Sequence, residues 1–266
     1  MAAPIRVHTY TYRLIRAAIR KEPFVSLKKR ITAMFAPEPA PEPAPAKNTE
    51  LFALFEFGDG GEFDYQAYRA AQVTKAQSDT GDVWADPKTL DVIADYARAK
   101  IPNLSFLLCH GSKAGMESRH LAARLGCEGI GTDISPPQAA QGVVEWDFHE
   151  KNDEWKGRAS LVYTNALDHA YDPKKAIDAW VDQLAPEGLI FIEHTMLHAP
   201  EGSSASDPFG AHPLIMPYLI LDWGQGKYCV RDVIKPEHKK PHWKPVEGER
   251  PDTDLDIWVF VIARNT

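Results

Sequence analysis

The chain has 266 residues, 44% hydrophobic and 25% charged, the balance of a globular protein large enough for one domain and an appendage. Its three cysteines, Cys109, Cys127 and Cys229, are too few and too scattered for a disulfide framework or a CxxC metal site. The formal charge of −7 is unevenly spread: residues 1–36 hold eight Lys and Arg against Glu22 alone. The body that remains is acidic, which argues against a nucleic-acid groove in it and against DNA as a partner.

Residues 10–35 read as two helical pieces divided at Pro23. In the second, Phe24, Leu27, Ile31 and Met34 recur at helical spacing with Lys28, Lys29 and Arg30 between them. Such a basic amphipathic arm (1–36) suits a membrane surface or a protein partner, or packing on its own domain. No apolar run reaches the roughly 18–20 residues of a membrane span. The protein is therefore expected to be cytoplasmic, or peripheral at a membrane surface. Alternating prolines from Pro37 to Pro45 then favour extended polyproline II, so residues 37–49 are taken as a semi-rigid linker and residues 50–266 as the functional domain.

Residues 50–100 read as a mostly helical prelude, with aromatic Phe63, Tyr65 and Tyr68 early on and Asp86-Pro87 capping a helix to about Lys100. Strand-like runs follow at Ser105–His110, Gly129–Thr132, Val143–Trp146, Leu161–Thr164 and Leu189–His194, with helices at Met116–Leu125 and Pro173–Leu184. Short apolar strands alternating with helices imply a mostly parallel α/β sheet covered on both faces. Tyr228–Ile234 and Ile257–Ala263 read as two further strands.

The first of these strands runs into His110-Gly111-Ser112-Lys113-Ala114-Gly115, and a helix follows. A turn of this kind presents backbone N–H groups and a positive helix end to a ligand above the sheet. About twenty residues later the second strand ends at Asp133, followed by Ile134, where nucleotide-binding sheets place a carboxylate for ribose hydroxyls. The alternative for Asp133 is a helix N-cap, since Pro136 follows. The third strand ends at Asp147-Phe148, an acid and an aromatic suited to an adenine ring, although Phe148 is equally suited to the core.

Taken in order, these segments resemble the class I S-adenosylmethionine-dependent methyltransferases over roughly residues 86–264. Leu167-Asp168-His169 after the fourth strand, and Leu184-Ala185-Pro186-Glu187-Gly188 before the fifth, are similar to two further family motifs. The resemblance implies a Rossmann-like, mostly parallel seven-stranded sheet with helices on both faces and a C-terminal antiparallel hairpin. It implies S-adenosylmethionine as cofactor, held by His110, Gly111, Ser112, Lys113, Gly115, Asp133, Ile134, Asp147, Phe148 and Asn165. Two positions depart from the family: Cys109 stands where an acid is usual, and Lys113 where a glycine is usual.

The same resemblance implies methyl transfer to a small-molecule or carbohydrate-type acceptor, read here as O-methylation. The family's Asn/Asp-Pro-Pro-Tyr signature for base amines is absent, because Ala166 follows Asn165. A hydroxyl acceptor needs a general base, and histidine titrates in the right range. Of His110, His149, His169, His194, His198 and His212, which lie at or beyond strand ends, His169, His194 and His198 are the candidate catalytic residues. The His194/His198 spacing would need a helix to hold a metal, so none is expected. Residues 199–226 are read as an acceptor-side insertion. Cys109 and Lys113 also keep open a catalytically silent binding or scaffold subunit. A nicotinamide oxidoreductase is disfavoured by the missing third glycine and the closing hairpin.

Overall fold

A computed structural model describes residues 47–48, 51–58, 61–78, 84–241 and 254–265. The basic arm and residues 37–46 of the linker lie outside the described residues. In chain order the elements are β1 (Lys47–Asn48), β2 (Phe52–Leu54), α1 (Tyr65–Ser78), α2 (Pro87–Lys100), β3 (Phe106–His110), α3 (Met116–Leu125), β4 (Glu128–Asp133) and β5 (Val143–Glu145). They continue with β6 (Ala159–Thr164), α4 (Pro173–Gln183), β7 (Leu184–Thr195), β8 (Phe209–Ala211), α5 (Met216–Gly224), β9 (Tyr228–Ile234) and β10 (Ile257–Arg264).

The main sheet has seven strands in the order β5-β4-β3-β6-β7-β10-β9. The first five of these are parallel to their neighbours, whereas β10 runs antiparallel to both β7 and β9. Every residue of β3 and β6 is buried, as a parallel strand flanked on both faces requires. Alternate side chains supply two separate cores. Leu107, Cys109, Leu161 and Tyr163 pack with Leu90, Ile93 and Leu121 from α2 and α3. Phe106, Leu108, Val162 and Ile190 pack on the other face with Ile177 and Trp180 of α4 and Ile220 of α5. Leu108 is fully buried, so Leu108→Ala is expected to cost about 2–5 kcal/mol through lost transfer energy and a residual cavity.

Local chemistry sets where the helices begin. Asp86 accepts from the N–H groups of Lys88 and Thr89, with Pro87 pre-set at the first helical position of α2. Asp172 and Pro173 do the same for α4, where Asp172 accepts from Lys175 N–H. No described helix is long and apolar enough to cross a membrane.

Three boundaries differ from the sequence reading. Lys47–Asn48, assigned to the linker, pairs with β2 in a second, antiparallel sheet of order β1-β2-β8. The prelude is helical only in part, since β2 belongs to that sheet. In the stretch 199–226, Phe209 and Ala211 of β8 and Met216, Leu219 and Ile220 of α5 are buried. Glycines and a proline in that stretch hid a helix that buries Met216, Leu219 and Ile220 and leaves Tyr218 and Leu221 exposed.

Candidate active site

A cavity of about 600 Å³ opens over the C-terminal ends of β3, β4 and β6. This is the edge at which open α/β sheets bind ligands, because successive loops diverge there and helix N-termini point inward. Its floor is the turn Gly111–Ala114. Gly111 has φ 67°, and a Cβ there would lie 2.4 Å from that of Ala166, so only glycine lets the β3 and β6 loops approach. Gly115 starts α3 with φ 76° and packs against Val143.

Asp133 projects into the cavity from the end of β4. Its Oδ2 accepts the Lys113 N–H at 2.9 Å and its Oδ1 the Ser135 N–H at 2.9 Å. The chain after Asp133 runs through bends and a turn into β5, so the residue is no helix cap. Each carboxylate oxygen keeps a second lone pair for a ligand. Ile134, Asp147 and Phe148 complete this end of the cavity. Asp147 is held by Tyr65 Oη at 3.0 Å and by His149 Nδ1 at 2.6 Å. Burial alone would raise its pKa, but the His149 and Tyr65 hydrogen bonds bring it below the usual carboxylate value. Phe148 serves both readings, lying 8% exposed in the core with its ring edge-on to Trp180 while lining the cavity.

The opposite end is polar. His169 Nδ1 lies 2.8 Å from Gln72 Oε1, which accepts its proton and leaves the lone pair on Nε2. That Nε2 lies 3.4 Å from Lys75 Nζ and 3.7 Å from Asp207, and Lys75 donates to Asp207. Burial lowers the His169 pKa, with Asp168 opposing and Lys75 reinforcing the shift, so the ring is neutral at pH 7. His198 lies 3.9 Å from Asp168. Donor atoms of Asp168, His169 and Asp207 fall within 4.8 Å of one another, a spacing compatible with a metal ion. The Lys75 ammonium already supplies the compensating positive charge there.

Eight of the ten expected cofactor residues line the cavity: Gly111, Ser112, Lys113, Asp133, Ile134, Asp147, Phe148 and Asn165. His110 and Gly115 do not. The His110 ring turns down into the core, stacks on Trp180 at 5.5 Å and bonds Thr132 and Gln183 at 2.8 Å each. Burial pushes its pKa down to about 4. Among the candidate bases, His169 and His198 reach the cavity and His194 does not. His194 donates through Nε2 to the Ala211 carbonyl at 2.9 Å, tying β7 to the small sheet, and burial lowers its pKa to about 3. Strand-end position alone does not distinguish a ring facing the cavity from one facing the core.

Sequence reasoning missed Gln72 and Lys75 of α1, Trp84, and Glu117 in the first turn of α3, all of which line the cavity. The aromatic run at Phe63–Tyr68 hinted that α1 has a packed role. Lys75 and Gln72 carried no such signal, because a helix's cavity-facing polar residues look like solvent-facing ones.

No protein-family model matches the chain, and no curated protein matches its sequence. Solved structures match its shape. One is a 1,6-didemethyltoxoflavin N1-methyltransferase from Burkholderia thailandensis with bound 1,6-didemethyltoxoflavin and S-adenosylhomocysteine, 14% identical, with a TM-score of 0.56 over 84% of this chain and 100% of the other. The fold is that of the class I methyltransferases. The methyltransferase fold recurs in a geranyl diphosphate C-methyltransferase from Streptomyces coelicolor A3(2), 11% identical, with a TM-score of 0.52 over 74% of this chain and 98% of that one. A Haloferax volcanii putative methyltransferase, solved in complex with the activator Trm112, is 16% identical, with a TM-score of 0.51 over 77% of this chain and 100% of the other. On this methyltransferase fold the cavity occupies the sheet edge described above.

Proposed function

We propose that the protein is an S-adenosylmethionine-dependent methyltransferase acting on a hydroxyl of a small-molecule or carbohydrate-type acceptor. The observation that carries this reading is the pairing of Asp133 with the Gly111–Ala114 turn in one cavity at the C-terminal edge of the sheet. Trp84, Asn165 and Asp168 add polar side chains to the cavity lining.

When bound, S-adenosylmethionine supplies an electrophilic methyl group on its sulfonium. Asp133 receives ribose hydroxyls through its remaining lone pairs, while Ile134 and Phe148 cover the base from the apolar side. Asp147 is pre-oriented by Tyr65 and His149 and adds an acceptor at that end. The chain's main tasks are positioning and exclusion of water. His169 takes the acceptor's proton on Nε2, and the imidazolium so formed is stabilised by Asp168 and Asp207. Lys75 moves from Nε2 toward Asp207, its other partner, as the acceptor enters.

The test is transfer of labelled methyl from S-adenosylmethionine to a panel of hydroxylated small molecules and saccharides, with His169→Ala run alongside. Transfer by the parent protein and its loss in the variant support the assignment. Transfer confined to amines or carbon acids would overturn the hydroxyl assignment, and absence of turnover with every acceptor class would favour the silent scaffold reading.

A further inference from the structure

Around His169 the polar side chains are engaged largely with one another. Gln72 accepts from His169 through Oε1 and donates through Nε2 to the carbonyls of Ser206 at 3.1 Å and Ala205 at 3.4 Å, and Lys75 donates to Asp207. Ala76, Trp84, Met116 and Leu197 give the same cavity an apolar wall. Leu197 lines it while 45% exposed, apolar surface that the fold itself does not bury. Trp84 is held in place by its neighbours. Lys240 Nζ lies 4.1 Å from its ring centroid and donates to Glu193 at 2.9 Å. Two residues on, Asp86 is 2.7 Å from His238 Nε2 and caps α2. Because Trp84 Nε1 is buried, the side chain has only carbon to offer the cavity. The His198 ring tilts against the Trp84 ring, 5.7 Å between centroids, and reaches Asp168 at 3.9 Å, the residue before His169. Apolar wall and candidate base therefore share one end of the cavity.

A carbon wall beside a neutral imidazole suits a ligand with a flat apolar body and one hydroxyl. A sugar, with a hydroxyl on most of its carbons, would meet few polar groups here that are not already engaged. We propose that the acceptor is a phenol, its ring lying against Trp84 and Leu197 and its hydroxyl directed at His169 Nε2, with Trp84 as a specificity-determining residue. This rests on the hydroxyl reading above and narrows its acceptor class. Acidity points the same way. Burial makes His169 a weaker base than an ordinary imidazole, and a weaker base needs a more acidic hydroxyl. A phenol titrates at about 10, whereas aliphatic hydroxyls are weaker acids. The phenol proton passes to His169 Nε2, and the oxygen gains the methyl as the methyl–sulfur bond breaks with its electron pair left on sulfur. The imidazolium then returns its proton to solvent.

Three hydroxylated probes separate this inference from the broader reading: 2-naphthol, cyclohexanol and methyl β-glucoside. The full chain saturated with S-adenosylhomocysteine is titrated calorimetrically with each, and methyl transfer from S-adenosylmethionine to each is measured. The phenol is expected to bind, with kcat/KM at least about 10-fold above that of either other probe. Trp84→Ala is expected to weaken 2-naphthol binding by about 10-fold or more and to raise its KM more than it lowers kcat, with S-adenosylhomocysteine affinity changed by less than about 2-fold. Leu197→Ala, at a half-exposed side chain, is expected to weaken 2-naphthol by about 5-fold, and it carries the test if the Trp84 variant does not melt cooperatively. Preference for cyclohexanol or the glucoside, or unchanged 2-naphthol affinity in the folded variants, overturns the phenol assignment and leaves the hydroxyl reading intact. Transfer to none of the three by protein that binds S-adenosylhomocysteine also overturns it, and transfer confined to amines or carbon acids removes the hydroxyl reading as well. If the parent protein does not bind S-adenosylhomocysteine, the cofactor reading fails and this inference with it.

Discussion

The backbone N–H of Lys113 donates to Asp133 Oδ2 at 2.9 Å from a left-handed conformation, φ 45°, that side-chain-bearing residues rarely adopt. The turn after β3 thus keeps a glycine-type shape although a lysine occupies it, and the bond to Asp133 compensates for the strain. Lys113→Gly is expected to hold the same turn and to raise stability by about 0.5–1 kcal/mol, the left-handed penalty less the added freedom of the unfolded chain. Chemical denaturation measures it. A loss of more than about 1 kcal/mol would mean that the lysine side chain, not the backbone, secures the turn.

Asp133→Ala is expected to weaken S-adenosylhomocysteine binding by about 1–3 kcal/mol, because ribose hydroxyls and two backbone N–H groups lose one acceptor together. Titration of a variant with an unchanged cooperative melt decides it. Parental affinity would remove Asp133 from the ribose site.

His169→Ala is expected to lower kcat by about 10²–10⁴-fold with S-adenosylhomocysteine affinity nearly constant. His194→Ala is expected to reduce the melting temperature through loss of the Ala211 bond while sparing kcat. Because the His169 pKa lies below the usual 6.5, activity stays flat above that value and falls as pH drops through the lowered pKa. If His198→Ala carries the larger rate loss, the base is the ring beside Asp168.

Acid should unfold the domain through two core histidines. His110 titrates at about 4 and His194 at about 3 in the fold, against about 6.5 once unfolded. Between those limits the unfolded chain binds more protons, so stability falls as pH drops from 6.5 toward 4, by an amount on the order of a few kcal/mol. Above pH 6.5 these two rings contribute no slope. Thermal melts across this range test it, and a flat melting temperature would mean that the rings are solvated.

Much of the fold was legible because its physics is local. The mostly apolar runs at β3 and β6, the Asp-Pro caps of α2 and α4, and the glycine turn at Gly111 each carry their cause in a few adjacent residues. The site was legible where a strand end dictates position, as at Asp133 and Asp147. It was hidden where side-chain direction decides: His110 and His194 turn into the core while His169 and His198 face the cavity. Glu117, Lys75 and Trp84 were hidden as well, because the sequence does not show which helix face covers a distant loop.

Deletion of residues 1–46 is expected to leave a domain that melts cooperatively and keeps its cofactor affinity, since the prolines from Pro37 to Pro45 separate the basic arm from β1. Scanning calorimetry of the truncated protein is the check. An insoluble product or a broadened transition would place the arm within the core.

Binding of S-adenosylmethionine in the cavity over β3, β4 and β6 is tested by calorimetric titration of the full chain with S-adenosylhomocysteine, with NAD as the comparison. Saturable one-to-one binding of S-adenosylhomocysteine is expected, lost or weakened in Asp133→Ala, with no heat from NAD. Absence of S-adenosylhomocysteine binding by the folded protein, or preferential binding of NAD, would contradict it.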